Sequence, residues 1–182
     1  MQVNIELALQ TREVFKLFER KIDGGRLFIQ AILHKFNIVM SHSKQQAPQT
    51  SSAFHQMEQA MVTLTQQFSA EVRRFNEVLD KRKDFNRIKV NFIVQFHPMI
   101  TVSNPLSMRL VEFIEIYDQL IATVKLLNLA GCFISDTDYY SNIKRIQKLA
   151  NKMLSHAMLI IIRPSVTNGH DRDSLVKDIL LQ

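Results

Sequence analysis

Residues 88–96 read Ile-Lys-Val-Asn-Phe-Ile-Val-Gln-Phe, the one convincing strand in a chain whose other patterns are helical. Val90, Phe92, Val94 and Phe96 fall on one side, and Lys89, Asn91, Ile93 and Gln95 on the other, because side chains alternate along an extended backbone. A single short strand cannot make a sheet. It needs a partner, and the most economical one is the same stretch in a second copy of the chain. His97-Pro98 is expected to stop the strand, since proline has no N–H to give to a ladder, which leaves Met99 to Val102 as a short extended connector.

The rest is helical. With Gly 4 and Pro 4 in 182 residues, tight turns are few, which favours long helices over a many-stranded sandwich. Val3, Ile5, Leu7 and Leu9 alternate like a strand, and the spacing then predicts a helix from about Gln10 to Lys21, ended by Asp23-Gly24-Gly25. Leu27 to His42 is apolar over a broad face and reads as a well-buried helix. Ser43 to Ser52 is polar and reads as a loop, with Thr50, Ser51 or Ser52 capping a third helix.

That third helix carries Phe54, Met57, Met61, Leu64, Phe68, Val72, Phe75, Val78 and Leu79 at intervals of three and four, a single narrow seam. The seam suits either an antiparallel hairpin with the preceding helix or a coiled coil between molecules. Asn104-Pro105 opens another helix with a cap and a proline at its first position, and Gly131 ends it. Ser135 or Asp136 caps the last, whose stripe includes Tyr139, Ile143, Ile146, Ala150 and Leu154, and Arg163-Pro164 closes it. Of the neighbouring Tyr139 and Tyr140, one ring is expected in the core and the other at the surface.

The formal charge of +6 and the sequence pI near 9.6 point to a polyanionic partner. The cations cluster just before the strand, at Arg73, Arg74, Lys81, Arg82, Lys83 and Arg87. Part of this suits the end of a helix, where cations complement the dipole. Catalytic chemistry has no foothold. The single cysteine, Cys132, excludes a disulfide framework and a cysteine zinc site, and the six histidines lack metal-ligand spacing. No phosphate-cradling glycine loop or nucleophile elbow occurs. No enzyme activity, cofactor or metal is expected. A signal peptide and a membrane span are not expected either, so the chain is expected to be cytoplasmic with no membrane partner.

A two-stranded antiparallel ribbon fits the major groove of double-stranded DNA. On its outer face Asn91 and Gln95 could make paired contacts to adenine and Lys89 could donate to guanine, while Arg82, Lys83 and Arg87 would meet phosphates. A strand with one apolar and one polar face is also what an ordinary half-buried edge strand looks like. The order strand, helix, turn, helix resembles the ribbon-helix-helix fold.

The segments Ile5-Glu6-Leu7, Thr11-Arg12, Tyr117-Asp118-Gln119-Leu120, Leu127-Asn128-Leu129-Ala130-Gly131 and Gln147-Lys148-Leu149-Ala150-Asn151 resemble the AcaB-type family, regulators encoded on conjugative plasmids and integrative elements. The resemblance covers most of the chain. It implies a ribbon-helix-helix activator of transfer genes acting as a homodimer, with RNA polymerase or another regulator as a further contact. One departure is the helix from Leu106 to Ala130, of about seven turns where minimal ribbon-helix-helix proteins have about three. The expected fold class is mainly α, a helical domain with one short strand pairing across a dimer. The expected divisions are an N-terminal helical hairpin region at 1–85, a ribbon-helix-helix-like DNA-binding and dimerisation region at 86–163, and a tail at 164–182. The alternatives are a helical scaffold or adaptor of a conjugation apparatus, gripping a protein with the Phe54–Leu79 seam, or an accessory that binds DNA without reading it.

Overall fold

The computed structural model describes residues 2–43, 48–82, 84, 85, 90 and 92–159. In order they form β1 (Val3–Glu6), α1 (Arg12–Glu19), α2 (Phe28–Ser43), α3 (Pro48–Asp80), β2 (Met99–Val102), α4 (Pro105–Leu129) and α5 (Asp136–Leu159). The expected closure at Arg163-Pro164 and the tail lie outside the described residues. Among the described residues no helix is long and apolar enough to cross a membrane, and no cluster of His, Cys, Asp or Glu side chains forms a metal site.

The axis of the fold is α4. Leu106, Leu110, Phe113, Ile114, Tyr117, Leu120, Ile121, Val124 and Leu127 form a buried stripe, but Val111, Ala122, Thr123 and Leu126 on its other sides are buried too. A helix apolar nearly all round must be surrounded, and α1, α2, α3, α5 and β2 all pack on it. Its start is fixed locally. Asn104 Oδ1 accepts from Ser107 N at 2.9 Å while Ser107 Oγ accepts from Asn104 N at 3.1 Å, a reciprocal cap with Pro105 at the first helical position. Asn104→Ala is expected to lower stability by about 1 kcal/mol, read from the urea midpoint.

At the other end, Gly131 takes φ 63°, and the chain reverses with Cys132 N donating to Leu127 O (2.9 Å) and Gly131 N to Asn128 O (3.0 Å). These paired bonds need a left-handed residue between helix and exit, a place that glycine fills without a clashing Cβ. Ser135 Oγ then accepts from Asp138 N at 3.2 Å and opens α5.

The long seam of α3 is spent inside the molecule. Met57, Met61, Leu64, Phe68 and Val72 are buried, chiefly against α4, with α2 as a lesser neighbour. Phe68 stands 5.7 Å from Phe113 and 5.9 Å from Tyr117, ring centre to ring centre. The hairpin with α2 exists, yet α4 is the main partner of α3; of the expected seam Phe54 and Phe75 are half-buried and Val78 is exposed. The expected loop at Ser43–Ser52 is also shorter than its polarity suggests: α2 runs to Ser43 and α3 begins at Pro48, a proline at the first helical position.

The sheet corrects the expectation most. Strand β1 pairs antiparallel with β2, Val3 opposite Val102 and Ile5 opposite Ile100, so this sheet closes within one chain. The expected connector Met99–Val102 is itself a strand. Nor does Pro98 stop the pairing, because only its carbonyl is used: Leu7 N donates to Pro98 O at 3.0 Å. The alternation from Val3 to Leu9 is real, with Leu7 and Leu9 fully buried and Ile5 half-buried on the core side.

Residues from both sides of 85 share the main core, from Leu7 and Val14 through Phe68 and Val72 to Leu106 and Leu154. A smaller cluster of Leu79, Leu126 and Leu127 lies at the far end of α3 and α4.

Candidate nucleic-acid interface

The interface begins where the alternating stretch lands on the helices. Val90 and Phe92 pack on the small cluster of Leu79, Leu126 and Leu127. Phe96 stacks on Phe15 at 4.5 Å between ring centres, and the Arg12 guanidinium lies 5.7 Å over the Phe96 ring. The apolar side therefore faces the chain's own helices, as its pattern requires. On the opposite side Ile93 is 76% exposed and Gln95 is exposed.

Backbone pairing is one-sided in sequence. Gln95 N and Phe96 N both donate to Leu9 O (3.1 and 3.2 Å), and Leu9 N donates to Phe96 O (2.9 Å). From that point to Val102 the strand has a partner. Upstream, residues 92–94 have no backbone hydrogen bond among the described residues. Residues 92–95 alternate half-buried and exposed, the pattern of a segment with one covered face.

Of the expected base readers, Gln95 stands on the open side; Lys89 and Asn91 lie outside the described residues. Of the expected phosphate contacts, Arg82 is exposed and Lys83 and Arg87 lie outside the described residues. Arg82 Nη2 donates to Gly131 O at 3.0 Å, which ties the end of α3 to the turn between α4 and α5 and holds the side chain in place. Arg73, Arg74 and Lys81 are exposed on the same last turns of α3.

Along α5, Lys144, Lys148 and Lys152 are exposed, while Arg145 is spoken for. Its guanidinium makes a two-pronged contact with Glu71 of α3 at 2.9 and 2.7 Å, and that hydrogen bonding raises its pKa above the ordinary value. Tyr139 packs against the core and Tyr140 is exposed, the division the spacing suggests. Cys132 is half-buried beside the smaller cluster.

One functional-looking group is not apparent from sequence pattern alone. Asp118 is buried in α4, and its carboxylate accepts from Gln10 N (2.8 Å), Thr11 N (3.0 Å) and Thr11 Oγ1 (2.6 Å). It takes up amides at the start of α1, where a negative group also complements the helix dipole. Thr11, at the cap position, makes no cap bond of its own because its hydroxyl is turned to Asp118. The signal was visible: an acid inside an apolar stripe, between Tyr117 and Leu120, needs donors when buried. Two segments that carry the family resemblance thus meet in space. Beside them Lys125 Nζ bonds Glu13 Oε2 at 2.7 Å, a second tie between α4 and α1.

No family model matches the chain, and no curated protein matches it in sequence. Among solved structures, the crystal structure of selenomethionine-containing AcaB from uropathogenic E. coli is similar, with a TM-score of 0.60 at 14% sequence identity. The likeness covers 86% of this chain and 77% of that one. At such identity what is shared is the fold.

Proposed function

We propose that the chain is a sequence-specific DNA-binding transcriptional regulator, an activator of conjugative transfer genes, which acts as a homodimer. The observation that carries this is the alternation at 92–95: apolar side seated, polar side outward, and no backbone partner among the described residues for 92–94. A second copy related by a two-fold axis would supply the missing strand. The paired ribbon would then present Lys89, Asn91 and Gln95 to base edges, and Ile93 to a thymine methyl group. Arg82, Lys83 and Arg87 would bind the flanking phosphates. Similarity of fold to AcaB, over most of both chains, supports the same reading.

The β1–β2 sheet is a poorer reader. Its outer face carries Glu6, in contact with His97 at 3.3 Å, and an acid there would repel the backbone of DNA. The adaptor reading has less to grip with, because Met57, Met61, Leu64, Phe68 and Val72 of the α3 seam are buried.

The test is a mobility shift with the chain's own promoter regions across a salt series. A specific shift that weakens with salt is expected; binding of equal strength to unrelated duplexes would instead favour the accessory that does not read sequence. Asn91→Ala is expected to cost roughly 1–3 kcal/mol at one base position, relaxing specificity there. Arg87→Ala should weaken every sequence alike and flatten the salt dependence. A protein that sediments as a monomer while shifting its operator would refute the ribbon across a dimer.

A further inference from the structure

A small cleft at the junction of α1, α4 and α5 has no part in reading DNA. Glu13 and Lys16 of α1, Arg20 just after it, Tyr117 of α4, and Gln147 and Asn151 of α5 line it, around a volume of about 320 Å³. That is the small end of the range for ligand pockets.

Its polar groups are unevenly matched. Tyr117 is 1% exposed as a residue, and its hydroxyl, which opens on the cleft, has no hydrogen-bond partner among the described residues. Burial, and then the charges of Glu13 and Asp118, hold its pKa above the ordinary tyrosine range, so it remains an O–H donor. The Lys16 ammonium and the Gln147 amide likewise have no hydrogen bond or ion pair among the described residues. Arg20 is placed rather than free: its guanidinium lies 4.3 Å over the Phe28 ring, and Nη1 donates to Asn151 Oδ1 at 3.2 Å. That bond leaves the Asn151 NH₂ with both hydrogens to give. The one acid, Glu13, is already met by Lys125.

We propose that this cleft binds a small oxyanion, a phosphate or carboxylate group held between Lys16 and Arg20 with Tyr117, Gln147 and Asn151 as further donors. The cleft offers two cations and several unspent donors around one acid that is itself neutralised, so a negative, acceptor-rich ligand completes it. A bound anion would join α1 to α5, as Asp118 joins α1 to α4, and α1 carries Phe15, which stacks on Phe96. The site stands or falls apart from the DNA-binding reading.

The experiment is thermal melting and titration calorimetry on the full chain with sodium phosphate and with sodium succinate, each against sodium chloride at equal ionic strength. A saturable rise in Tm is expected with at least one of the two anions. Lys16→Ala and Arg20→Ala should each weaken binding about tenfold, the scale of one charge-assisted hydrogen bond. Tyr117→Phe keeps the ring and should weaken it several-fold. No rise beyond that given by sodium chloride overturns the site. So does a rise that these two variants leave unaltered, since the anion would then act elsewhere. Stabilisation by duplex DNA alone, with neither small anion raising Tm, also overturns it.

Discussion

Asp118→Ala is expected to lower the free energy of unfolding by roughly 3–5 kcal/mol, the largest effect of any polar substitution in the fold. The substitution removes one acceptor and strands three donors. Two belong to Thr11, which is fully buried, and the third is Gln10 N at the edge of the core. Each buried donor without a partner costs about 1–3 kcal/mol, and water has little access to replace the carboxylate. The start of α1 would lose its cap and its dipole partner together. Urea unfolding followed by circular dichroism measures it. Thr11→Val, which removes the shortest of the three bonds and leaves the two amides paired, should cost less than half as much. A loss under about 1 kcal/mol for Asp118→Ala would mean that solvent reaches the clamp and that α1 is not held by it.

Phe68→Ala should be comparably severe, at about 3–5 kcal/mol, for a different reason. Its ring is 1% exposed at the middle of the α3–α4 contact, against both Phe113 and Tyr117. Truncation leaves a cavity between two long helices that cannot collapse without bending, so transfer and cavity terms add. Phe68→Leu retains most of the volume and should cost under about 1.5 kcal/mol. The double variant with Phe113→Ala should fall short of the sum of the two single losses, because the rings share a contact. A fully additive result would show that the rings do not share one packed site.

The helices were legible because each carries its own punctuation. Asn104-Pro105 and Gly131 bound α4 without reference to anything distant, and an apolar period near 3.6 needs no partner to be recognised. What the periodicity does not specify is who packs on whom. The seam of α3 would look the same facing α2, α4 or a second molecule, and only the near-complete apolar girth of α4 identifies the helix that must be enclosed.

Strand pairing was less accessible still. The alternation Val3, Ile5, Leu7, Leu9 and the run ending at Phe96 both read as strands in the sequence, yet of that run the described Val90 and residues 92–95 lie in no strand, Phe96 makes a single bridge, and nothing local links Leu9 to Phe96. Proline misled for a chemical reason, since the missing N–H of Pro98 is not needed by β1 while its carbonyl accepts. For the candidate interface, the sequence placed Gln95 outward and Phe92 and Phe96 inward, and the structure agrees on all three. The Asp118 clamp stayed hidden because a lone acid in a stripe does not say which amides it serves.

The pairing of Val3 with Val102 also bears on how the molecule is made. During synthesis the first strand leaves the ribosome long before its complement, so the nascent chain must hold Leu7 and Leu9 uncovered until the segment beyond Phe96 has emerged. The small sheet is thus a late clasp to shut. A translational pause placed before that segment would prolong the hazard, and an upstream fusion partner would hang beside the finished sheet.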